Sequence, residues 1–436
     1  MYYFLMHKNE IIALCNGFKI IKLFNDKRLP YGISNNDNIY MLDKWFASRK
    51  IPENRNNVSS IKNALDKLNI KFSDFPFLNY GLSLTDNYWF YPLKENFITI
   101  MSKIKFKKYE KELPKYENIN YFENDFNDKL IQSIIYKTPV DKDMLITPDS
   151  TTGGTNQKYW VIRNGKRFLT KQNDVIYNYV AEKEIFASFV AYLINLCRET
   201  GKKKIIDVVD YQFEKGRTEY ENVCFSELFT STEYELVTYG QLISNAKKHK
   251  NGFGLLLDVK SDNFKDNVII NDYFDFLIIL DFLTENKRSI NDIGFLYNSE
   301  SMQIIKPAPV FGNANSFGYM KKDFTRANHE LYSGNHKNVF LMNEEEQCKY
   351  IAKIDWLLPD LLYRECETFA KYLFSEDMYH FPRQYKENII NWLKYKIVMI
   401  ANEKRLNIIR DAENGKTSET DDEVKYEGTD IISTTT

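Results

Sequence analysis

The chain has 436 residues, 43% of them hydrophobic and 15% aromatic, and its 59 Lys and Arg against 60 Asp and Glu leave a net charge of −1. That much apolar material builds a sizeable core and excludes a disordered chain, while the neutral balance leaves no electrostatic footprint for non-specific nucleic-acid binding. Charge is still unevenly placed: Asp411 to Thr436 holds eight acidic residues against two lysines, a net of −6, so the preceding body carries about +5. Cys15, Cys197, Cys224, Cys348 and Cys366 are scattered, and the five histidines equally so. Neither a disulfide framework nor a zinc site is expected, and a reducing, cytoplasmic setting is the simplest reading. No run of about 18 apolar residues predicts a membrane span.

In chain order, Leu14-Cys15-Asn16-Gly17-Phe18-Lys19-Ile20 places Asn-Gly between two strand-like segments, a hairpin signal. Helical spacing around Met41 to Phe46 stops at Ile51-Pro52, and a second helix is expected from about Ser59 to Leu68. After a charged, Pro-broken stretch from Tyr109 to Tyr121, the small-residue turn Thr151-Thr152-Gly153-Gly154-Thr155 leads into Lys158-Tyr159-Trp160-Val161-Ile162. A tight Asn164-Gly165 turn and Phe168-Leu169-Thr170-Lys171 complete a second hairpin, and an amphipathic helix follows from about Val175 to Arg198. Ile205–Val209 and Asn222–Phe225 read as strands. Beyond about Leu236 helices dominate, over Tyr273–Phe282, Ile351–Leu373 and Tyr385–Arg405. The tail from 411 lacks periodicity and reads as disordered.

This order predicts an α+β, two-lobed fold with a cleft between the lobes. Such a cleft suits a nucleotide. A small-residue turn lets backbone amides approach phosphates, a strand lysine pairs with them, and a glutamate on the next helix orients that lysine. Gly-Gly alone is a weak sign, because turns use glycine constantly.

Four boxes in the right order carry a resemblance. Trp45 to Arg55 is similar to a W-x-x-x-R-x-x-P-x-x-R segment, Leu82 to Trp89 to L-S-L-[ST]-D-x-Y-W, and Asn120 to Phe126 to N-[FY]-F-x-N-x-F. Thr147 to Gly154 resembles the stretch that enters a glycine turn. Together they resemble the HipA-like branch of the protein-kinase superfamily. The resemblance implies an α+β appendage over residues 1–146, a strand-rich N-lobe over 147–236, a helical C-lobe over 237–410 and an acidic tail over 411–436.

It also implies roles for single residues. Gly153 and Gly154 would cradle phosphates, Lys171 would contact them, and Glu184 would be the helix carboxylate near that lysine. By residue type alone, Lys171 and Glu184 would be an ordinary solvated lysine and glutamate. Where the family carries N-x-D-R-H-x-x-N-x-G, this chain has Glu285-Asn286-Lys287-Arg288-Ser289-Ile290-Asn291-Asp292-Ile293-Gly294. Where it carries A-P-x-[FY]-D, the chain has Ala308-Pro309-Val310-Phe311-Gly312. Lys287 thus stands at the catalytic Asp position, Asp292 at the metal-binding Asn and Gly312 at the second metal-binding Asp.

A lysine cannot act as general base, and glycine offers no metal ligand. The expectation is therefore a pseudokinase, with or without bound ATP, with magnesium weak or absent and Asp292 the one remaining metal ligand. It would act through an antitoxin-like or substrate-like protein partner, without direct nucleic-acid or membrane binding. An active phosphotransferase recruiting Asp281, Asp292 or Asn313, or another nucleotide-dependent transferase, is the alternative. Lys287 reads first as a solvated lysine, with an ion pair to Asp292 as the alternative, and the triple change Lys287→Asp, Asp292→Asn, Gly312→Asp is expected to restore turnover.

Overall fold

A computed structural model of the chain describes residues 2–31, 33, 42–93, 126–146, 152–173, 179–243, 267–318, 338–375 and 383–413. The box at 120–126 (apart from Phe126), the entry 147–151 to the glycine turn and the tail beyond 413 lie outside the described residues.

Alternating apolar residues form β1 (Tyr2–His7), β2 (Glu10–Asn16) and β3 (Lys19–Leu23), with Gly17 taking φ +57° in the expected hairpin. Helices α1 (Leu42–Ala47), α2 (Val58–Lys67) and α3 (Phe75–Leu78) lead to β4 (Tyr88–Leu93), which pairs with β1 in an antiparallel sheet of order β3-β2-β1-β4. Both faces of this sheet are covered. Tyr3, Leu5, Ala13 and Cys15 pack with Leu42, Trp45 and Phe46, whereas Phe4, Met6 and Leu14 pack with Leu82, Trp89 and Trp160. Arg49 and Asp86, from two of the boxes, form a buried ion pair, and the Arg49 guanidinium lies over the Trp45 ring. Those two residues are therefore structural.

Helix α4 (Lys129–Tyr136) precedes a second sheet of β5 (Lys158–Arg163), β6 (Lys166–Gln172), β7 (Tyr211–Glu214) and β8 (Val223–Glu227), in the order β5-β6-β8-β7. Asn164 and Gly165 turn β5 into β6 with φ of +51° and +74°, the left-handed conformation that Asn-Gly tolerates. Helix α5 (Val180–Thr200) packs behind the sheet.

A third, three-stranded antiparallel sheet joins β9 (Tyr234–Thr238), β10 (Gly294–Asn298) and β11 (Ile304–Pro307). Helices α6 (Tyr239–Ile243), α7 (Asn267–Thr284), α8 (Glu344–Ile351), α9 (Pro359–Ser375) and α10 (Arg383–Glu413) complete the chain. Helix α7 is the core of this lobe. Its Tyr273, Phe276, Leu277 and Leu280 are fully buried in one cluster with Phe186 and Ile194 of α5 and Trp392 of α10. The fold is thus α+β and two-lobed. No helix among the described residues is long and apolar enough to cross a membrane.

The expected strand at Ile205–Val209 makes only one parallel bridge, Val208 to Val310. Its neighbour is the Ala308-Pro309-Val310 segment, where Pro309 has no N–H to extend a ladder. The expected helix Ile351–Leu373 starts later, at Pro359, because α8 ends at Ile351 and a non-helical stretch leads to Pro359, which cannot donate and opens α9. Strands β10 and β11 lie inside the region expected to be mainly helical, and β9 crosses its start at Leu236. Strands of five, five and four residues are too short for periodicity to identify.

The first sheet is joined to the third by one buried carboxylate. Glu235 of β9 accepts from His7 Nε2 at 2.8 Å, from the Asn87 side chain and from the Tyr297 hydroxyl. The other ring nitrogen of His7, Nδ1, faces Arg28 Nη1 at 3.2 Å.

Candidate nucleotide site

Lys171, the last residue but one of strand β6, turns its side chain toward α5, where Glu184 sits in the second turn. The two form a buried ion pair, 9% and 0% exposed at their side chains. Lys171 also donates to the Tyr211 hydroxyl at 3.3 Å, and Glu184 Oε2 accepts the Asn313 N–H at 2.9 Å. Burial on its own would lower the lysine pKa, but the charge of Glu184, with Tyr211 and Cys224, outweighs it and holds Lys171 firmly protonated. Glu184 therefore ties together β6, α5 and the segment that follows Ala308-Pro309-Val310-Phe311. The sequence resemblance named both partners of this pair, and the structure brings them together.

The glycine turn lies beside them. Gly154 has φ +92°, which only glycine adopts easily, and a Cβ there would stand 3.0 Å from Lys158 Nζ. Lys158 is buried and donates to the Gly153 carbonyl. The appendage supports the same turn: Arg55 donates to the Thr152 carbonyl, and the Asn56 N–H donates to the Thr155 carbonyl at 2.9 Å.

The degenerate catalytic segment is organised by Arg288, not Lys287. Arg288 is buried and binds both oxygens of Asp281, with Nε at 3.0 Å from each. It also donates to the Phe311 carbonyl at 2.5 Å and to Asn313 Oδ1 at 2.7 Å. Asp281 and Asn313 are thereby engaged and do not stand as free substitutes for missing ligands. Lys287 is exposed and forms no ion pair with Asp292 among the described residues. Lys287 is thus the solvated lysine, and the buried ion pair of this segment is Arg288 with Asp281, because the neighbouring arginine takes the inward position.

Asp292 closes a short 3-10 turn, Ile290–Asp292, in a capping box with Ser289. Its side chain lies against Gly312, where an added Cβ would meet Asp292 Cβ and Cγ at 2.8 Å. Gly312 itself has φ +77°, a conformation costly for any side chain. The space a side chain at 312 would need is filled by Asp292, and the triple change expected to restore turnover meets both obstacles. An asparagine at 292 would not clear them, since its Cβ and Cγ remain.

A magnesium ion wants several oxygen ligands in near-octahedral array. The donor set here does not fit it. Gly312 supplies nothing, Asp281 is held by Arg288, and Asp292 is a single carboxylate near three cations, Arg288, Lys158 and Lys171. The Asn286 side-chain oxygen is buried without a hydrogen-bond partner and adds at most one neutral donor to Asp292, short of the several oxygens the ion wants. Among the described residues no group of three or more His, Cys, Asp or Glu could hold a metal ion. Reading the sequence missed Lys158, Tyr211 and Arg288. Only the pairing register of β5 with β6 and the packing of α7 reveal them.

No protein-family model matches the chain, and no curated protein does. Among solved structures it is similar in fold to the Helicobacter pylori proinflammatory kinase CtkA, with a TM-score of 0.44 and 17% identity over 61% of this chain and 96% of that one. It is also similar to a chain of the Shewanella oneidensis MR-1 toxin–antitoxin complex of HipA, HipB and operator DNA. That TM-score is 0.41 at 12% identity, over 83% of this chain and 86% of that one. At such scores the likeness decides nothing about activity, which must be argued from the cleft.

Two outcomes follow from this geometry. Lys171→Met strands Glu184 as an uncompensated buried charge and should cost about 3–5 kcal/mol in urea denaturation, whereas adding Glu184→Gln should recover much of the loss. A double variant no more stable than Lys171→Met would show that the pair does not organise the cleft. Burial pushes the Asp292 carboxyl up, against the pull of Arg288, Lys158 and Lys171. An acid with a raised folded-state pKa favours folding below its ordinary range and loses that contribution as pH rises through the raised value. The melting temperature of Asp292→Asn minus that of the unchanged protein should therefore grow from acid to neutral pH. A difference flat with pH would contradict the assignment.

Proposed function

We propose that this chain is a HipA-like kinase-fold protein whose cleft binds a nucleotide but transfers its phosphate poorly or not at all, so that it acts through binding. The observation that carries this reading is the side chain of Asp292 filling the space where a carboxylate at position 312 would stand. The phosphate-contacting half of the site is assembled, as the buried Lys171–Glu184 pair under the glycine turn. The half that would hold metal and remove the substrate proton is not: Lys287 is exposed, and Asp281 is engaged by Arg288. In phosphoryl transfer the protein contributes positioning and charge neutralisation, and the metal supplies much of the latter. A general base typically adds about 10²–10⁴-fold, and a cation at its position supplies none of it.

In this reading Lys171 and the amides of Gly153 and Gly154 hold the phosphates, Glu184 orients Lys171, and Arg288 locks the catalytic segment in place. A protein that binds without turning over acts by what it contacts, so a protein partner is part of the proposal. Calorimetric titration of ATP with and without Mg²⁺ tests it. ATP should bind with similar affinity in EDTA and in excess Mg²⁺, and Lys171→Ala should abolish binding. A strong Mg²⁺ enhancement would show a working metal site and overturn the reading.

A further inference from the structure

The chain leaves the second sheet at the end of β8 and reaches β9 through residues 228–233. The third sheet is part of the helical lobe, because Val237, Phe295, Tyr297 and Ile304 share one core with α7. Residues 228–233 and β9 therefore connect the two lobes. We propose that the first sheet and its loops form a clamp on this connection, so that the cleft is held at one opening whether or not a ligand is present. The inference goes beyond the nucleotide reading and does not depend on it.

Three sets of contacts make the clamp. The first is the grip itself, from the turn at residues 84–87. The Thr230 hydroxyl donates to the Leu84 carbonyl, and the Leu236 N–H donates to the Thr85 carbonyl at 2.7 Å. The Asn87 side chain donates to the Thr232 carbonyl at 3.2 Å and to Glu235, which also accepts the Asn87 N–H at 3.1 Å. Burial on its own would raise the Glu235 pKa, but hydrogen bonds from His7, Tyr297 and Asn87 outweigh it and keep the carboxylate ionised. A buried carboxylate cannot let go of its donors without a large desolvation cost, so Glu235 is the anchor of the grip. The second set fixes the clamp to both sides of the connection. Trp160 of the second sheet packs among Phe4, Met6 and Trp89 of the first. On the other side Arg28 donates to the Ser299 carbonyl at 2.8 Å and Tyr31 to the Met302 carbonyl. Ser299 in turn donates to the carbonyls of Thr232 and Glu233, at 2.8 and 2.9 Å. The third is α5, whose Phe186 and Ile194 already lie in the core of the helical lobe. A lobe tied at one place can pivot about it, and the clamp is a second tie. Hinges work by letting a few residues change φ and ψ, and here the hinge residues are bonded from both sides.

The test measures distances across the cleft in the full chain. Spin labels are placed by Lys166→Cys in the second sheet and Lys353→Cys in the helical lobe, both exposed, while the five native cysteines are buried. With an intact clamp the distance distribution should be single and narrow. Asn87→Ala combined with Thr230→Val removes side-chain contacts of the grip and should broaden it. In the same variant, hydrogen exchange of the Leu236 amide should rise about five- to ten-fold, the equivalent of roughly one lost hydrogen bond. Tyr297→Phe takes a donor from the same carboxylate, but from within the third sheet, and should leave the distribution narrow. A double variant as narrow as the intact clamp would overturn the inference. So would a broad distribution with the clamp intact, or equal broadening by Tyr297→Phe, which would mean general loosening. If the double variant does not fold, Asn87→Ala and Thr230→Val are measured singly against the same outcomes. No ligand enters these measurements, so a failure of the nucleotide reading leaves the inference standing, and the reverse holds as well.

Discussion

The cleft depends on one desolvated ion pair. Lys171 and Glu184 are almost fully removed from water, and neither is tolerable there without the other. Each also reaches further, Lys171 to the Tyr211 hydroxyl and Glu184 to the backbone of Asn313. Strand, helix and the segment after Phe311 are therefore held to one geometry by a single carboxylate. The glycine turn is placed by the strand that pairs with β6, so its distance from Lys171 is set by the same register.

A second buried pair, Arg288 with Asp281, organises the opposite wall. It differs from the first in what it leaves available. Lys171 spends one contact on Glu184 and remains beside the glycine turn, whereas Arg288 spreads its donors over Asp281, Phe311 and Asn313. Groups that could have served chemistry are used to hold the segment still. Asp292 then packs onto a glycine in the left-handed region, and the wall closes over the place where a metal-binding side chain would project.

How much of this was legible in the sequence varies with the range of the interaction. Asn16-Gly17 and Asn164-Gly165 are local signals, and both hairpins form as read. Lys171 and Glu184 are 13 positions apart and look like solvated surface residues by type, and only the four boxes that bear the family resemblance single them out. The alternation of Lys287 and Arg288 could not be resolved the same way, because two adjacent cations differ only in which faces inward. Burial of Asp281 on α7 decides it, and that is a tertiary fact. Lys158 was hidden for a related reason: a lysine opening a strand has no meaning until the strand opposite is in register. The helix break before Pro359 carried a plain local sign and was overridden by the apolar run on either side.

The account stands on impaired transfer from a cleft that still binds. The most direct measurement is phosphate transfer from γ-labelled ATP in Mg²⁺ by the unchanged protein and by Lys171→Met, with label followed on the chain itself and in released phosphate. The account predicts transfer at or barely above background from the unchanged protein and none from Lys171→Met. Rapid, repeated turnover by the unchanged protein that disappears in Lys171→Met would contradict it, because the closed wall around Asp292 and Gly312 would then have to be a working catalytic centre.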